Sequence, residues 1–340
     1  MKLKKYVNNP ILSPNDNNWE CRCVLNPGVI YDEEHKKFVM LYRAAGNDIA
    51  HIIRCGLAES DDGIHFERVS DKPVFEASRE EADGGCIEDP RIVKMGDIYL
   101  ITYAARSYAP GQYWLLPNAK CPYKTEEDVY SENLPRLART NCTASFLAAT
   151  KNFKTYKRLG RITDTRYDDR DVILFPEKVG GKYVILSRPK NQDDAGLKMP
   201  SIWISFVDDL LDPLTPTLLM TGETNWETLR IGAGTPPIKT EKGWFLLYHG
   251  VDDNGIYRIG ALLLDLEDPS KILARTRNYI MEPEYEYETC GLYNGCVFPT
   301  GTVVKDGILY VYYGTADKHI GLATANFDEL IKYLDKECRI

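Results

Sequence analysis

One aspartate in this chain of 340 residues sits in a context built to hold it still. Asp89 lies in the run GGCIEDPR, which begins at Gly84. Glycines before it let the backbone turn tightly, and Pro90 fixes the chain immediately after it. An acid pinned in this way suits general acid catalysis. A turn-capping aspartate is the plainer reading of the same residues. A second group is cationic. Arg170, Arg188, Arg230 and His249 each stand beside a short apolar run, where a purely structural strand would carry neutral residues. In a chain of net charge −8, such donors converging on one place would make an anion site. Against this, each arginine can pair with a neighbouring acid, and Asp168, Asp169 and Asp171 surround Arg170. Asp317, in YYGTADKHIGLA, is a further acid whose context turn chemistry explains equally well.

Other chemistries lack their residues. The chain has no phosphate-binding P-loop, no strand-GxGxxG-helix unit and no GxSxG elbow. The five histidines show no metal spacing, and His35 and His65 read as solvated turn residues. Nine cysteines form no regular framework, which predicts reduced thiols. The acidic balance, with no basic patch among aromatics, argues against nucleic acid or an anionic membrane as partner. No apolar run reaches the ~18 residues of a spanning helix, and no apolar segment follows the lysines of MKLKKYVNNPIL. A cytoplasmic protein is expected.

The elements that must position these residues repeat. A proline, an apolar pair, a polar turn and an apolar strand recur five times, around Pro27, Pro90, Pro176, Pro236 and Pro299. Third strands with a small-apolar signature follow: RCGLAES, ASFLAAT, RIGALLLD, HIGLATA and a looser SIWISFVDD. Four short antiparallel strands per unit, repeated about an axis, predict an all-β fold: a five-bladed β-propeller in one domain. A two-sheet sandwich would not explain the fixed order of features. The blades fall at roughly 24–76, 86–163, 170–221, 230–282 and 290–326. An insertion at 110–136 is expected over one face, and a short closing helix over 327–334. Tyrosine outnumbers the other aromatics, with 22 Tyr to 10 Phe and 5 Trp, which suits strands with a hydroxyl at a wet surface. In a propeller the innermost strands line a central channel. The residues before the prolines (Asn26, Asp89, Phe175, Thr235, Phe298) and the ends of the second strands (Arg43, Ala104, Arg188, His249, Gly314) are therefore expected to converge.

The motifs IEDPRI, LFPEK, SRP, RIGAGTPPIKT, YHG and YYGTADKHIGLA together resemble glycoside hydrolase family 130, the β-mannoside phosphorylases, over about residues 8–325. The resemblance implies a five-bladed propeller. It implies Asp89 as the catalytic acid, acting through the mannose 3-hydroxyl. It implies a phosphate site of Arg170, Arg188, Arg230, His249 and Tyr257, and a sugar site of Asn26, Arg43 and Asp317, with Arg54 as a further candidate. Two positions depart from the family pattern: Ser187 stands where His is common, and Arg230 where Lys is common. The implied reaction is inverting phosphorolysis of β-mannosides to α-mannose 1-phosphate, of the β-1,4-mannooligosaccharide or β-1,4-mannosyl-N-acetylglucosamine type. A hydrolase of the same family, or a phosphorylase of β-1,2-mannosides or mannosyl-glucose, is the alternative. The implied partners are a β-mannoside and inorganic phosphate as co-substrate, with no cofactor and no metal. A homo-oligomer is left open. No carboxylate is evident opposite the acid to activate water.

Overall fold

The computed structural model describes residues 1–78, 81–111, 141–164, 167–190 and 196–340. It is the expected five-bladed propeller: five antiparallel sheets, each built from the axis outwards. The first blade comprises Cys23–Asp32, Lys37–Ala45, Ile53–Ser60 and Glu67–Arg68. The second comprises Cys86–Met95, Ile98–Arg106, Ala144–Thr150 and Lys157–Arg161. The third comprises Asp169–Leu174, Tyr183–Pro189, Ile202–Val207 and Thr217–Met220. The fourth comprises Arg230–Ala233, Gly243–Val251, Tyr257–Leu264 and Ile272–Arg275, with Ile238–Thr240 paired beside the innermost strand. The fifth has Val297–Lys305, Ile308–Thr315 and His319–Asn326. Its outermost strand is Lys4–Lys5, from the other end of the chain, with Lys4 opposite Thr324 and Lys5 opposite Ala323. The insertion expected at 110–136 falls almost wholly outside the described residues.

The blades repeat a buried polar tether. Tyr42, Tyr103, Tyr248 and Tyr313 hold the same place on the second strands of four blades. Their hydroxyls donate to Glu20 (2.9 Å), Asp83 (3.1 Å), Glu227 (2.7 Å) and Glu288 (2.9 Å). Each carboxylate is buried and is held in turn by a cation from its blade's outermost strand: Arg68, Arg158, Arg275 and Lys5. Burying such a charge is tolerable only because it is paired and hydrogen-bonded. These tyrosines are therefore core residues with satisfied hydroxyls, not wet-surface ones. The small-apolar third strands follow from them. Gly56, Gly260 and Gly321 lie opposite Tyr42, Tyr248 and Tyr313, and a Cβ there would come within 2.2–2.5 Å of the ring. The third blade has Ser187 opposite Trp203 at this place, and so no tyrosine to tether.

The C-terminal helix runs Phe327–Glu337, three residues beyond its expected end. Asn326 caps it by accepting from the Glu329 N–H at 3.0 Å. Phe327, Leu330, Ile331 and Leu334 bury one stripe against the fourth and fifth blades. The apolar period stops at Leu334, but the helix continues through half-buried Asp335, which pairs with Lys242 and Arg339, to exposed Lys336 and Glu337.

The innermost strands do not follow the proline alignment in every blade. In the first and second blades the residue before the proline sits in a bulge with left-handed backbone: Asn26 at φ 44° and Asp89 at φ 50°. In the third blade the equivalent residue is Asp171, at φ 55°, in the bulge between Arg170 and Ile173. Phe175, which precedes Pro176, is instead buried in the core beside Trp244.

Candidate active site

The bulges decide which side chains meet. A regular strand alternates its faces, so neighbours in sequence point apart. A left-handed residue in a bulge breaks that alternation and re-aims the side chain. Glu88 and Asp89 accordingly both reach one cavity on the axis, as do Arg170 and Asp171. Asn26 and Arg43 join them from the first blade, Arg188 from the third and Tyr257 from the fourth. Tyr293, Phe298 and Asp317 close the ring from the fifth. The cavity measures about 110 Å³. A single water needs about 10–15 Å³ on the same measure, so the space suits a larger polar guest.

On one side stands the acid. Asp89 Oδ1 accepts from Asn26 Nδ2 at 2.8 Å and from Arg43 Nη1 at 3.0 Å. The same Arg43 nitrogen lies 3.3 Å from Glu88 Oε2. Glu88 is buried, which alone would raise its pKa, but Arg43, Arg106 and Arg170 outweigh burial and hold it down to about 2. Asp89 thus has a fixed anion beside it, with one arginine shared between the two carboxyl groups.

The adjacent third blade supplies two cations. Arg170 and Arg188 are directly opposite each other on paired strands. Like charges so placed repel, and the fold must hold them there. Arg170 Nη2 donates to Thr143 Oγ1 at 2.5 Å and to Asp168 Oδ1 at 3.1 Å. Arg188 Nε donates to Asp171 Oδ2 at 2.5 Å. Asp171 is the carboxylate that was not evident in the sequence opposite the acid. Burial favours its neutral form, but Arg188, Arg91 and Arg170 together hold its pKa well below the usual carboxylate range. Next to it, burial pushes Asp169 up to about 7, despite the hydrogen bond it accepts from the Arg188 backbone N–H.

Arg230 does not itself line the cavity but backs Tyr257, whose hydroxyl accepts from its Nε at 3.1 Å and Nη2 at 2.7 Å. His249 is fully buried beside the Phe298 and Tyr257 rings, with Nε2 3.7 Å from Asp171 Oδ2. Burial, reinforced by Arg188 and Arg230, lowers its pKa to about 3, so it is a neutral imidazole rather than the expected cation. Asp317 reaches the cavity from a turn in left-handed backbone, at φ 54°. Arg54 is not brought to the site. Arg43 pairs with Cys55, so Arg54 is on the opposite face of the sheet. Its guanidinium is spent on Glu76 at 3.2 Å and the Ile52 carbonyl at 3.0 Å. The sequence reading missed Glu88, Asp171 and Tyr293. Glu88 adjoins the acid and Asp171 is one of the acids flanking Arg170, but a regular strand would point each away from its neighbour. Among the described residues no helix is long and apolar enough to cross a membrane.

A five-bladed propeller whose axial cavity sets carboxyl groups against paired arginines has the make-up of an enzyme that moves a glycosyl group onto an anion. The comparisons with known proteins agree. The family profile described as beta-1,4-mannooligosaccharide phosphorylase matches residues 2–115 and 138–336, and the chain belongs to that family, glycoside hydrolase family 130. A 1,2-beta-oligomannan phosphorylase of Thermoanaerobacter sp. (strain X514) is 39% identical over 97% of this chain and 99% of its own. A beta-1,2-mannobiose phosphorylase of the same organism is 37% identical, over 95% of this chain and 96% of its own. Among solved structures, a beta-1,2-mannobiose phosphorylase of Listeria innocua in complex with beta-1,2-mannobiose superposes with a TM-score of 0.76 at 25% identity, covering 99% of this chain and 100% of that one. The chain is a glycoside phosphorylase of the mannoside-cleaving kind.

Proposed function

We propose that the enzyme cleaves β-1,2-linked oligomannosides with inorganic phosphate, inverting the anomeric centre and releasing α-mannose 1-phosphate. The observation that carries the reaction is the pair Arg170 and Arg188, opposed on neighbouring strands and lining the same cavity as Asp89. The linkage rests on the relatives: those at 39% and 37% identity both bear β-1,2 names. This moves the reading away from the β-1,4 linkage expected first. β-1,4-Mannooligosaccharides remain the second reading, which the family profile's own description favours.

The chemistry needs an acid on the leaving oxygen and a nucleophile on the opposite face. Phosphate is already an anion at neutral pH, so it needs holding and screening more than it needs a base. Arg170, Arg188 and the Tyr257 hydroxyl, itself anchored by Arg230, hold its oxygens. Neutral His249 can donate one N–H behind them. Asn26, Arg43 and Asp317 hold the mannose. A phosphate oxygen forms the bond to C1 as the glycosidic C1–O bond breaks. Asp89 supplies the proton that the leaving oxygen takes, through the mannose 3-hydroxyl, and the proton of hydrogen phosphate restores it. Asp171 stands near the attacking side, but a carboxylate held so far below neutral pH is a weak base for water. This supports phosphorolysis over hydrolysis. A sugar phosphate is of use inside a cell, which supports a cytoplasmic site of action.

The test is to incubate β-1,2- and β-1,4-mannobiose with and without phosphate and follow the products by NMR. The expected result is α-mannose 1-phosphate from the β-1,2 disaccharide, only when phosphate is present. Free mannose at equal rates without phosphate would mean a hydrolase. Preferential turnover of the β-1,4 disaccharide would restore the second reading of the linkage.

A further inference from the structure

Beside the bulges that carry Asn26 and Asp89 the blades come very close. The first blade reads Asn26-Pro27-Gly28 at its bulge, and a Cβ on Gly28 would stand 2.7 Å from the Pro90 carbonyl oxygen. Gly301 of the fifth blade packs in the same way, 2.9 Å from the Pro27 carbonyl oxygen. Innermost strands therefore touch backbone to backbone around the axis, and a side chain fits at neither position. The second blade differs. It reads Asp89-Pro90-Arg91, with arginine where the first blade has glycine.

That side chain is 2% exposed, and all three of its guanidinium nitrogens are engaged. Nη1 donates to the Asp89 carbonyl oxygen at 2.9 Å, fixing the left-handed bulge of its own blade. Nη2 reaches Asp171 Oδ1 of the third blade at 3.4 Å. Nε donates to the Gly234 carbonyl oxygen of the fourth blade at 3.2 Å. The guanidinium carbon lies 5.7 Å from the centre of the Phe298 ring of the fifth. One planar fork thus joins four blades at the backbone of Asp89 and the carboxylate of Asp171. An ammonium could not reproduce it, because its donors radiate from a single point.

We propose that Arg91 is a positioning residue for the reaction: it locks the backbone of the acid Asp89 and the carboxylate that orients Arg188 into one frame, so that proton donor and phosphate keep a fixed separation. This rests on the roles given to Asp89 and Arg188 above. Arg91 does not line the cavity and touches neither substrate. It acts on the acid through a carbonyl and on the phosphate side through Asp171.

The test is Arg91→Lys, with Arg91→Ala beside it, read as kcat, both KM values and thermal melting. Lysine keeps the charge and most of the volume but loses the fork. The expected result for R91K is a folded enzyme with kcat reduced roughly 100-fold, the scale of a ~1 Å misplacement at a reacting centre, and a mannoside KM within about threefold of wild type. Free guanidinium ion at millimolar concentration should restore part of the R91A activity and none to R91K, whose side chain still fills the space. Wild-type kcat in R91K would overturn the proposal. So would an R91K enzyme whose kcat loss is matched by falls in melting temperature and in affinity for both substrates, which marks a merely structural residue. If R91A does not fold, R91K decides alone. The phosphorylase reading is tested separately by the phosphate requirement of the wild type. Should that fail, the ratio of R91K to wild-type kcat still reports the positioning of the acid.

Discussion

Replacing Arg188 with alanine removes one of the two cations proposed to hold the phosphate. Its Nε is 2.5 Å from Asp171 Oδ2, and its strand partner is Arg170. A hydrogen bond to a charged group contributes about 1.5–3 kcal/mol. Lost from the phosphate complex, that is roughly 10- to 150-fold in affinity. The upper end is expected, because Asp171 loses its shortest cation contact. Arg91 at 3.4 Å and neutral His249 at 3.7 Å are what the structure leaves around its carboxylate. An anion that had been screened then faces the incoming phosphate. R188K should fall between wild type and R188A, since it keeps the charge without the fork. The assay is the initial rate of phosphorolysis against phosphate at saturating mannoside, then against mannoside at saturating phosphate. KM for phosphate should rise by the factor above while that for mannoside stays within about threefold, as expected when only the phosphate contact is lost. An unchanged phosphate KM, or a mannoside KM rising equally, would show that Arg188 serves the sugar and would refute the assignment.

Three further outcomes follow from the same geometry. Asp89→Asn keeps an oxygen that still accepts from Asn26 and Arg43 and removes the proton donor; kcat should fall by roughly 10²–10⁴ with melting unchanged, and near-normal turnover would remove Asp89 from the role of acid. Tyr248→Phe deletes the hydroxyl that donates to Glu227 at 2.7 Å and should cost about 1–3 kcal/mol in urea unfolding, with no change expected in either KM. His249 has its pKa lowered to about 3, so between the unfolded value near 6.5 and the folded one the unfolded chain binds more protons; stability should decline as pH falls through that window, and His249→Gln should flatten the decline in a pH series of melting curves.

The repeat made the architecture legible, because each blade spells the same order of proline, turn and strand. What it could not show was backbone hand. Asp171 was hidden because its neighbour Arg170 already faced the channel, and alternation assigns adjacent residues to opposite faces. Only the left-handed bulge brings both in. The same cause hid Glu88 beside Asp89, and misplaced Phe175, whose proline lies past the strand's end. Arg54 failed for the opposite reason: its strand is regular, so a one-residue offset from Cys55 turns it away. His249 was rightly placed on its strand, but its charge depends on burial, which no local pattern reveals. The tethers left a readable trace, with Glu20, Asp83 and Glu227 each three residues before an innermost strand. The fifth blade breaks that spacing, and its cation arrives from Lys4–Lys5, two residues too few to carry any periodicity.

That borrowed strand bears on how the ring assembles. The fifth blade lacks its outer edge, and Glu288 its Lys5 partner, until the two ends of the chain meet. Four blades can organise from contacts local to each, but the last must wait for the most distant pairing in the molecule. Loop-closure entropy grows only slowly with length, at about 0.6 kcal/mol per doubling, so the delay is kinetic more than energetic. A partly made chain would hold an open arc with an unpaired strand edge, and such edges invite pairing with other chains. Docking of the borrowed strand then does two things at once: it covers that edge and brings Lys5 onto the buried Glu288.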